Sequence, residues 1–315
     1  MKRRSKVCFD RRLILVILFI VILANLIQFT QSASKRNQWL SIPIDDSQLL
    51  GVLKNLGSFS YLVNTGNLGD SLIGSATMDW FDRNHFNWTR CSPQDTVENL
   101  VYQGNGVFIE KYSGGIKTVM ECMKRAKRVI VLPSTYYNIP SFIEILDSRF
   151  TLFCREQPSY NYLMKQNTTA QILLDHDMAF RATKHLLTKR IIPPPDFKAR
   201  VEKVEQIIQS LPKDVQFFRK DCEQVGNRTT DLDLSGSLGL FLWNDCREKI
   251  DYGAQMLLKV MYQFDTVTTD RLHVGIAAAL TGRKVFLFDN YYGKIAAVYH
   301  RTLYRLPNAQ YIENG

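Results

Sequence analysis

From Ser58 onward the chain alternates short β-rich apolar runs with segments of helical period, the pattern of βαβ units built on a mostly parallel sheet. Strands are expected at 58–64 (SFSYLVN), 96–102 (TVENLVY), 128–133 (RVIVLP), 151–155 (TLFCR) and 170–175 (AQILLD). Helical stretches, among them 71–81 and 117–126, lie between several of them. The run Pro193, Pro194, Pro195 then interrupts the alternation. Each proline lacks an amide hydrogen and fixes φ, so the run reads as an elbow. A second series follows it: a helix at 197–211, a strand from Val215, a helix at 249–262, a strand from Thr266, a helix at 272–280 and a strand from Lys284. The expected fold is α/β, with two Rossmann-like lobes facing a cleft in a GT-B-like arrangement. The lobes are expected at 58–192 and 193–315.

The amino terminus has a different character. Lys2, Arg3, Arg4, Lys6, Arg11 and Arg12 face only Asp10, so twelve residues supply half of the formal charge of +10. A nucleic-acid partner would call for basic residues clustered on the folded part, and that reading is set aside. Residues 13–27, LILVILFIVILANLI, contain a single polar side chain, Asn25. As a helix they extend roughly 22 Å, and with their flanks they approach the ~17 residues needed to span a bilayer. The expectation is a cytoplasmic tail at 1–12, a transmembrane signal anchor at 13–30 and a stem at 31–57. The basic flank stays inside, giving a single-pass type II protein of the secretory pathway, placed in the Golgi. A cleaved signal peptide is the competing reading, since Ser32, Ala33 and Ser34 follow the apolar run. Both readings export the globular part. The sequons at Asn87, Asn167 and Asn227 agree with that address as glycosylation sites. No pair among Cys91, Cys122, Cys154, Cys222 and Cys246 is spaced C-x-x-C, so no zinc or thioredoxin-type motif is suggested. An oxidising lumen would allow one or two disulfides, with Cys122 and Cys154 read as buried thiols.

Four constellations stand at expected strand ends, where open α/β sheets bind ligands. Asn64-Thr65-Gly66-Asn67-Leu68-Gly69-Asp70 is a glycine-rich turn into a helix, suited to anions or sugar hydroxyls; its plain reading is a βα turn with Asp70 as the helix cap. It is neither a Walker A loop nor a G-x-G-x-x-G fingerprint. Asp270-Arg271-Leu272-His273 offers a guanidinium fork and a side chain that titrates near neutrality, against a plain reading of cap, surface ion pair and packed histidine. Asp289-Asn290-Tyr291-Tyr292-Gly293-Lys294 ends on a lysine able to meet a phosphate, or simply a solvated lysine after a turn. Cys154-Arg155-Glu156 with Ser159-Tyr160 places an arginine at a further strand end; read alone it is a surface Arg–Glu pair.

Taken together, and in this order, these segments resemble the polysaccharide pyruvyl transferase family. DRLHVGIAAALTGRKVFLFDNYYGK is similar to that family's T-D-R-L-H-G segment, small-residue helix, apolar strand and D-N-x-Y-G-K. GNLGD, VIVLPST, CREQPSY and FFRKDCE resemble its upstream segments. The resemblance runs from about Ser58 to about Tyr299. Two departures stand out: Gly104-Asn105-Gly106 where relatives often read G-G-G-N, and Val274 where they often have glycine.

The resemblance implies transfer of a pyruvyl unit from phosphoenolpyruvate to two hydroxyls of a sugar in a glycan, of galactose or mannose type, closing a ketal and releasing phosphate. It implies no cofactor, and no metal cluster is visible in the sequence. Arg155 and Arg271 are the candidates for the anionic donor, with Arg219 and Lys294 in support. His273 is the candidate general acid/base, with Asp270 helping to orient it or Arg271, and Asn67, Gly69 and Asp70 form the other wall. Two other classes remain open: a glycosyltransferase using a nucleotide sugar, and a membrane-tethered carbohydrate-binding protein without catalysis.

Overall fold

The computed structural model describes residues 38–64, 66–112, 116–192, 198–234 and 246–313. The expected tail, the anchor at 13–30, the start of the stem and the proline elbow lie outside the described residues. Among the described residues no helix is long and apolar enough to cross a membrane.

Strands β1 (Phe59–Leu62), β2 (Trp88–Cys91), β3 (Asn99–Tyr102), β5 (Arg128–Ser134), β7 (Phe150–Cys154) and β8 (Gln171–Leu174) form one sheet in the order β2-β1-β3-β5-β7-β8. Every pairing in it is parallel. β9 (Asp214–Phe217), β10 (Thr266–Thr269), β11 (Lys284–Leu287) and β12 (Ala309–Tyr311) form a second parallel sheet, ordered β12-β11-β10-β9. A minor ladder joins β4 (Phe108–Ile109) to β6 (Tyr136–Tyr137). Parallel strands carry helices on both faces, so the central ones read as continuous apolar runs. β5 is buried at every position after Arg128. Its Pro133 falls where the β5–β7 register shifts, the kind of irregularity that accommodates a missing amide.

Helices of eight or more residues are α1 (Ser47–Leu56), α2 (Leu68–Arg83), α3 (Lys117–Arg125), α4 (Gln157–Met164), α5 (Lys198–Ser210), α6 (Arg247–Met261), α7 (Leu272–Leu280) and α8 (Lys294–Arg301). α2 is buried on almost every side, because it lies between its own sheet and α6 of the second half. Small residues make the close approach feasible: a Cβ at Gly74 would stand 2.9 Å from Gln103 Oε1 and 3.1 Å from Ile250. Ser75 Oγ donates to Asp251 Oδ1 at 2.6 Å across the same contact. One apolar cluster therefore runs through both sheets, from Tyr61 and Phe81 to Val267 and Leu287.

The structure corrects the reading of residues 31–57 as a stem. α1 occupies Ser47–Leu56 and buries Leu49, Leu53 and Leu56 on one face. Asp46, just before it, accepts from Trp80 Nε1 and from Arg181 Nε, both at 2.9 Å. The i, i+4 spacing of Leu49 and Leu53 is the signal. Edge strands β2 and β12 also went unread: both are short and half-buried, without an apolar run to announce them.

Candidate active site

The carboxyl ends of the two sheets face one cavity of about 250 Å³. In the first sheet the chain moves one way from β1 to β2 and the other way through β3, β5 and β7, so β1 and β3 flank the switch point where such sheets bind ligands. The residues after those two strands, Asn64, Asn67, Asp70 and Gly106, line the cavity together with Arg155 after β7. The second sheet contributes Arg219 after β9, Arg271 and His273 after β10 and Lys294 after β11.

The turn after β1 is a capping box. Asn67 Oδ1 accepts from Gly69 N at 2.8 Å and Asp70 Oδ2 accepts from Asn67 N at 2.9 Å, so the cap is Asn67 and Asp70 is its third helical residue. Burial pushes the Asp70 carboxyl up, against the pull of His273. Gly69 is required by the histidine: a Cβ there would lie 2.6 Å from His273 Nδ1.

Arg155 is completely buried, which corrects its reading as half of a surface pair. Its Nε donates to Thr135 Oγ1 at 2.9 Å and its Nη1 to Asp177 Oδ2 at 2.7 Å. Nη2 is buried and makes no hydrogen bond. It borders a hollow left by Gly106, whose added Cβ would be 3.2 Å from Arg155 Nη2, 3.7 Å from Lys294 Nζ and 3.9 Å from Tyr292 Oη. The Tyr292 hydroxyl is likewise buried without a partner. Three donors thus stand around the space beside Gly106.

His273 meets Asp177 rather than Asp270. Its Nε2 is 3.3 Å from Asp177 Oδ2 and 3.5 Å from Arg155 Nη1. Burial would raise the Asp177 carboxyl, but the charges of His273 and Arg155 outweigh it and hold the group below the ordinary carboxylate range. Nε2 thus faces the Asp177 carboxylate, and Nδ1, the other ring nitrogen, lies toward Gly69. Asp270 is fully buried but does not line the cavity; it accepts from Arg219 N at 2.8 Å and faces Arg228 at 3.6 Å. Its expected part in orienting His273 falls to Asp177.

Arg271 and Arg219 are set among carboxylates. Arg271 Nε and Nη2 bond Asp233 at 2.7 Å each, and Nη2 also reaches Asp221 at 3.0 Å. Arg219 Nε and Nη2 bond Asp221, and its Nη1 bonds Glu223 Oε2 at 2.6 Å. Glu223 further accepts from Asn290 Nδ2, Lys294 Nζ and Tyr112 Oη. Burial acts to raise the Glu223 carboxyl, yet Lys294 and Arg219 hold it well below its usual range.

Asp177, Asp221, Asp233, Glu223 and Tyr292 were not singled out from the sequence as site residues. Asp177 closes the run LLDHD after β8, so an acidic residue just beyond a strand end was its available signal. Of the two departures noted above, the first reaches the cavity through Gly106. Asn105 braces the loop, receiving Val107 N and donating to Tyr102 Oη, while Gly104 packs against the Pro133 carbonyl. Val274 is buried in the apolar core. Cys91, Cys122, Cys154 and Cys222 are free thiols, with Cys122 and Cys154 buried as expected. Asn87, Asn167 and Asn227 are all exposed. Among the described residues no group of three or more His, Cys, Asp or Glu side chains is arranged to hold a metal ion.

Fold and site define a two-sheet α/β protein with a small polar cleft lined by arginine, lysine and histidine side chains. The model of the polysaccharide pyruvyl transferase family matches residues 67–291, and the chain belongs to that family. A Bacillus subtilis (strain 168) protein named as a pyruvyl transferase, EpsO, is 24% identical over 283 residues, covering 79% of this chain and 86% of the relative. The crystal structure of a functionally uncharacterised protein from Klebsiella pneumoniae subsp. pneumoniae NTUH-K2044 is similar at a TM-score of 0.67 and 27% identity, covering 84% of this chain and 97% of that one. The protein is therefore a polysaccharide pyruvyl transferase.

Proposed function

We propose that the donor is phosphoenolpyruvate and that the product is a pyruvate ketal on two hydroxyls of a galactose-type residue. The observation that carries the reading is the hollow at Gly106, where Arg155 Nη2, Lys294 Nζ and Tyr292 Oη converge beside His273. A small anion with both a carboxylate and a phosphate suits two cations and a hydroxyl donor gathered in one place. The cavity, at about 250 Å³, is below the range of roughly 300–1,000 Å³ that drug-sized ligands occupy, which favours a compact donor over a nucleotide sugar.

The chemistry follows from the groups at hand. The methylene carbon of the enol gains a proton and becomes the methyl group. One acceptor hydroxyl adds to the central carbon and loses its proton, phosphate leaves with the C–O electron pair, and the second hydroxyl adds and loses its proton to close the ketal. His273, held by Asp177 at Nε2, is the group that moves protons. Arg155 and Lys294 stabilise the departing phosphate and hold the carboxylate, in a site where burial strengthens each charged contact. We also place the active part in the lumen of the secretory pathway, anchored through residues 13–30, a reading supported by the basic flank and the exposed sequons.

Thermal unfolding of the full chain with phosphoenolpyruvate tests the donor. Stabilisation should follow mass action, about 2.7 kcal/mol at a hundred times Kd, and phosphate should be released when a galactoside is added. Stabilisation by nucleotide sugars alone would turn the reading to a glycosyltransferase.

A further inference from the structure

We propose that Tyr137, backed by Tyr292, is a stacking platform for a hexopyranose ring of the acceptor, an inference that rests on the transfer reading above. Among the described residues few large apolar side chains are exposed, and two of them, Tyr137 at 46% and Tyr291 at 39%, both pack against Tyr292. The Tyr137 ring lies on that of Tyr292 at 5.5 Å between centroids and 26° between planes. Tyr291 meets Tyr292 edge-on at 4.8 Å. Tyr292 is the inner member, because its hydroxyl borders the Gly106 hollow. A ring resting on the outer face of Tyr137 is thus at the end of a short series of contacts leading to the donor.

The backbone holds Tyr137 in this position. In β6, alternation sends Tyr136 into the core and Tyr137 outward. Tyr137 pairs with Ile109, and the next residue, Asn138, adopts φ +43 while its Nδ2 donates to Glu110 Oε2 at 2.6 Å. A left-handed asparagine tied to the turn that follows β4 fixes the backbone next to the ring. One face of Tyr291 is covered by Lys111 Nζ, 3.8 Å from its centroid, which leaves Tyr137 as the open ring. Aromatic faces carry negative potential and suit the C–H face of a neutral sugar, while Glu110, Lys111 and Asn138 offer polar partners to its hydroxyl edge.

Binding of methyl β-galactopyranoside, methyl α-mannopyranoside and uridine to the full chain, with phosphoenolpyruvate present, tests this directly by calorimetry. Tyr137→Ala should raise the glycoside Kd about tenfold, the size of a lost stacking contact, and Tyr137→Trp should restore it. The melting temperature and the stabilisation by phosphoenolpyruvate should not move. Unchanged glycoside affinity in Tyr137→Ala, binding of neither glycoside by the native chain, or preference for uridine would each overturn the platform. Normal transfer with an unaltered acceptor KM in Tyr137→Ala would sink the platform and leave the reaction standing. Glycoside binding through Tyr137 without phosphate release would do the reverse.

Discussion

The two walls of the cavity carry arginines that carboxylates occupy to different degrees: Arg155 pairs with Asp177, while Arg271 and Arg219 meet two carboxylates each. On the first-sheet wall Arg155 is dry and has one nitrogen, Nη2, with no bond. On the second-sheet wall Arg271 and Arg219 are clamped by Asp221, Asp233 and Glu223. A charge-assisted bond made by a buried, waiting donor contributes more than one made by a group already neutralised by carboxylates. Arginine count therefore misleads as a guide to donor affinity. Arg155 from the first sheet and Lys294 from the second form the receiving surface, Lys294 being already bonded to Glu223, and the clamped pair Arg271 and Arg219 stands on the Lys294 side with its charge largely balanced.

The largest effect expected at this junction is on chemistry. His273→Asn should lower turnover by about 10²–10⁴ while phosphoenolpyruvate affinity stays within a few-fold and the melting temperature holds. Kinetics, calorimetry and unfolding on one preparation decide it; near-normal turnover in the folded variant would remove His273 from proton transfer. The next effect separates the walls. Arg155→Lys should weaken phosphoenolpyruvate binding by roughly 10- to 100-fold, since a charged hydrogen bond of about 1.5–3 kcal/mol is lost with the fork. Arg271→Lys should weaken it less than Arg155→Lys does, and should instead lower the melting temperature by leaving Asp233 short of its paired partner. Dissociation constants measured well below both melting temperatures check the order, and the reverse order would break the comparison.

A further effect, read in stability and not in binding, concerns Glu156, next to Arg155. Burial, opposed by the charges of Arg155 and Lys294, pushes its carboxyl up to about 7. The folded protein retains there a proton that the unfolded chain releases near 4.5, so stability is highest below that value, falls as pH rises toward 7 and is level above it. The decline attributable to this group is on the order of 3 kcal/mol. Glu156→Gln should flatten the stability profile between pH 5 and 7 and melt higher than the native chain at pH 8. A native chain with no such slope would show that the Arg155 wall holds a charged carboxylate without penalty.

Sequence by itself determined the alternation of strands and helices, because parallel strands buried on both faces must be apolar and their connections must show helical period: 128–133 and 272–280 were legible for that reason. It also marked the strand-end segments holding Arg155, Arg219, Arg271, His273 and Lys294, since chain order and strand ends are local facts. Partners were not legible. Asp177 is 96 positions from His273 and reaches it only because β8 and α7 bring both ends to one cavity. Asp270 beside His273 in sequence was the natural guess, yet successive residues at the start of a helix point in different directions, and Asp270 turns to the Arg219 backbone. The charge state of each arginine was decided by tertiary structure alone, for a guanidinium's value as a donor depends on which carboxylates the fold sets against it and how much water it excludes.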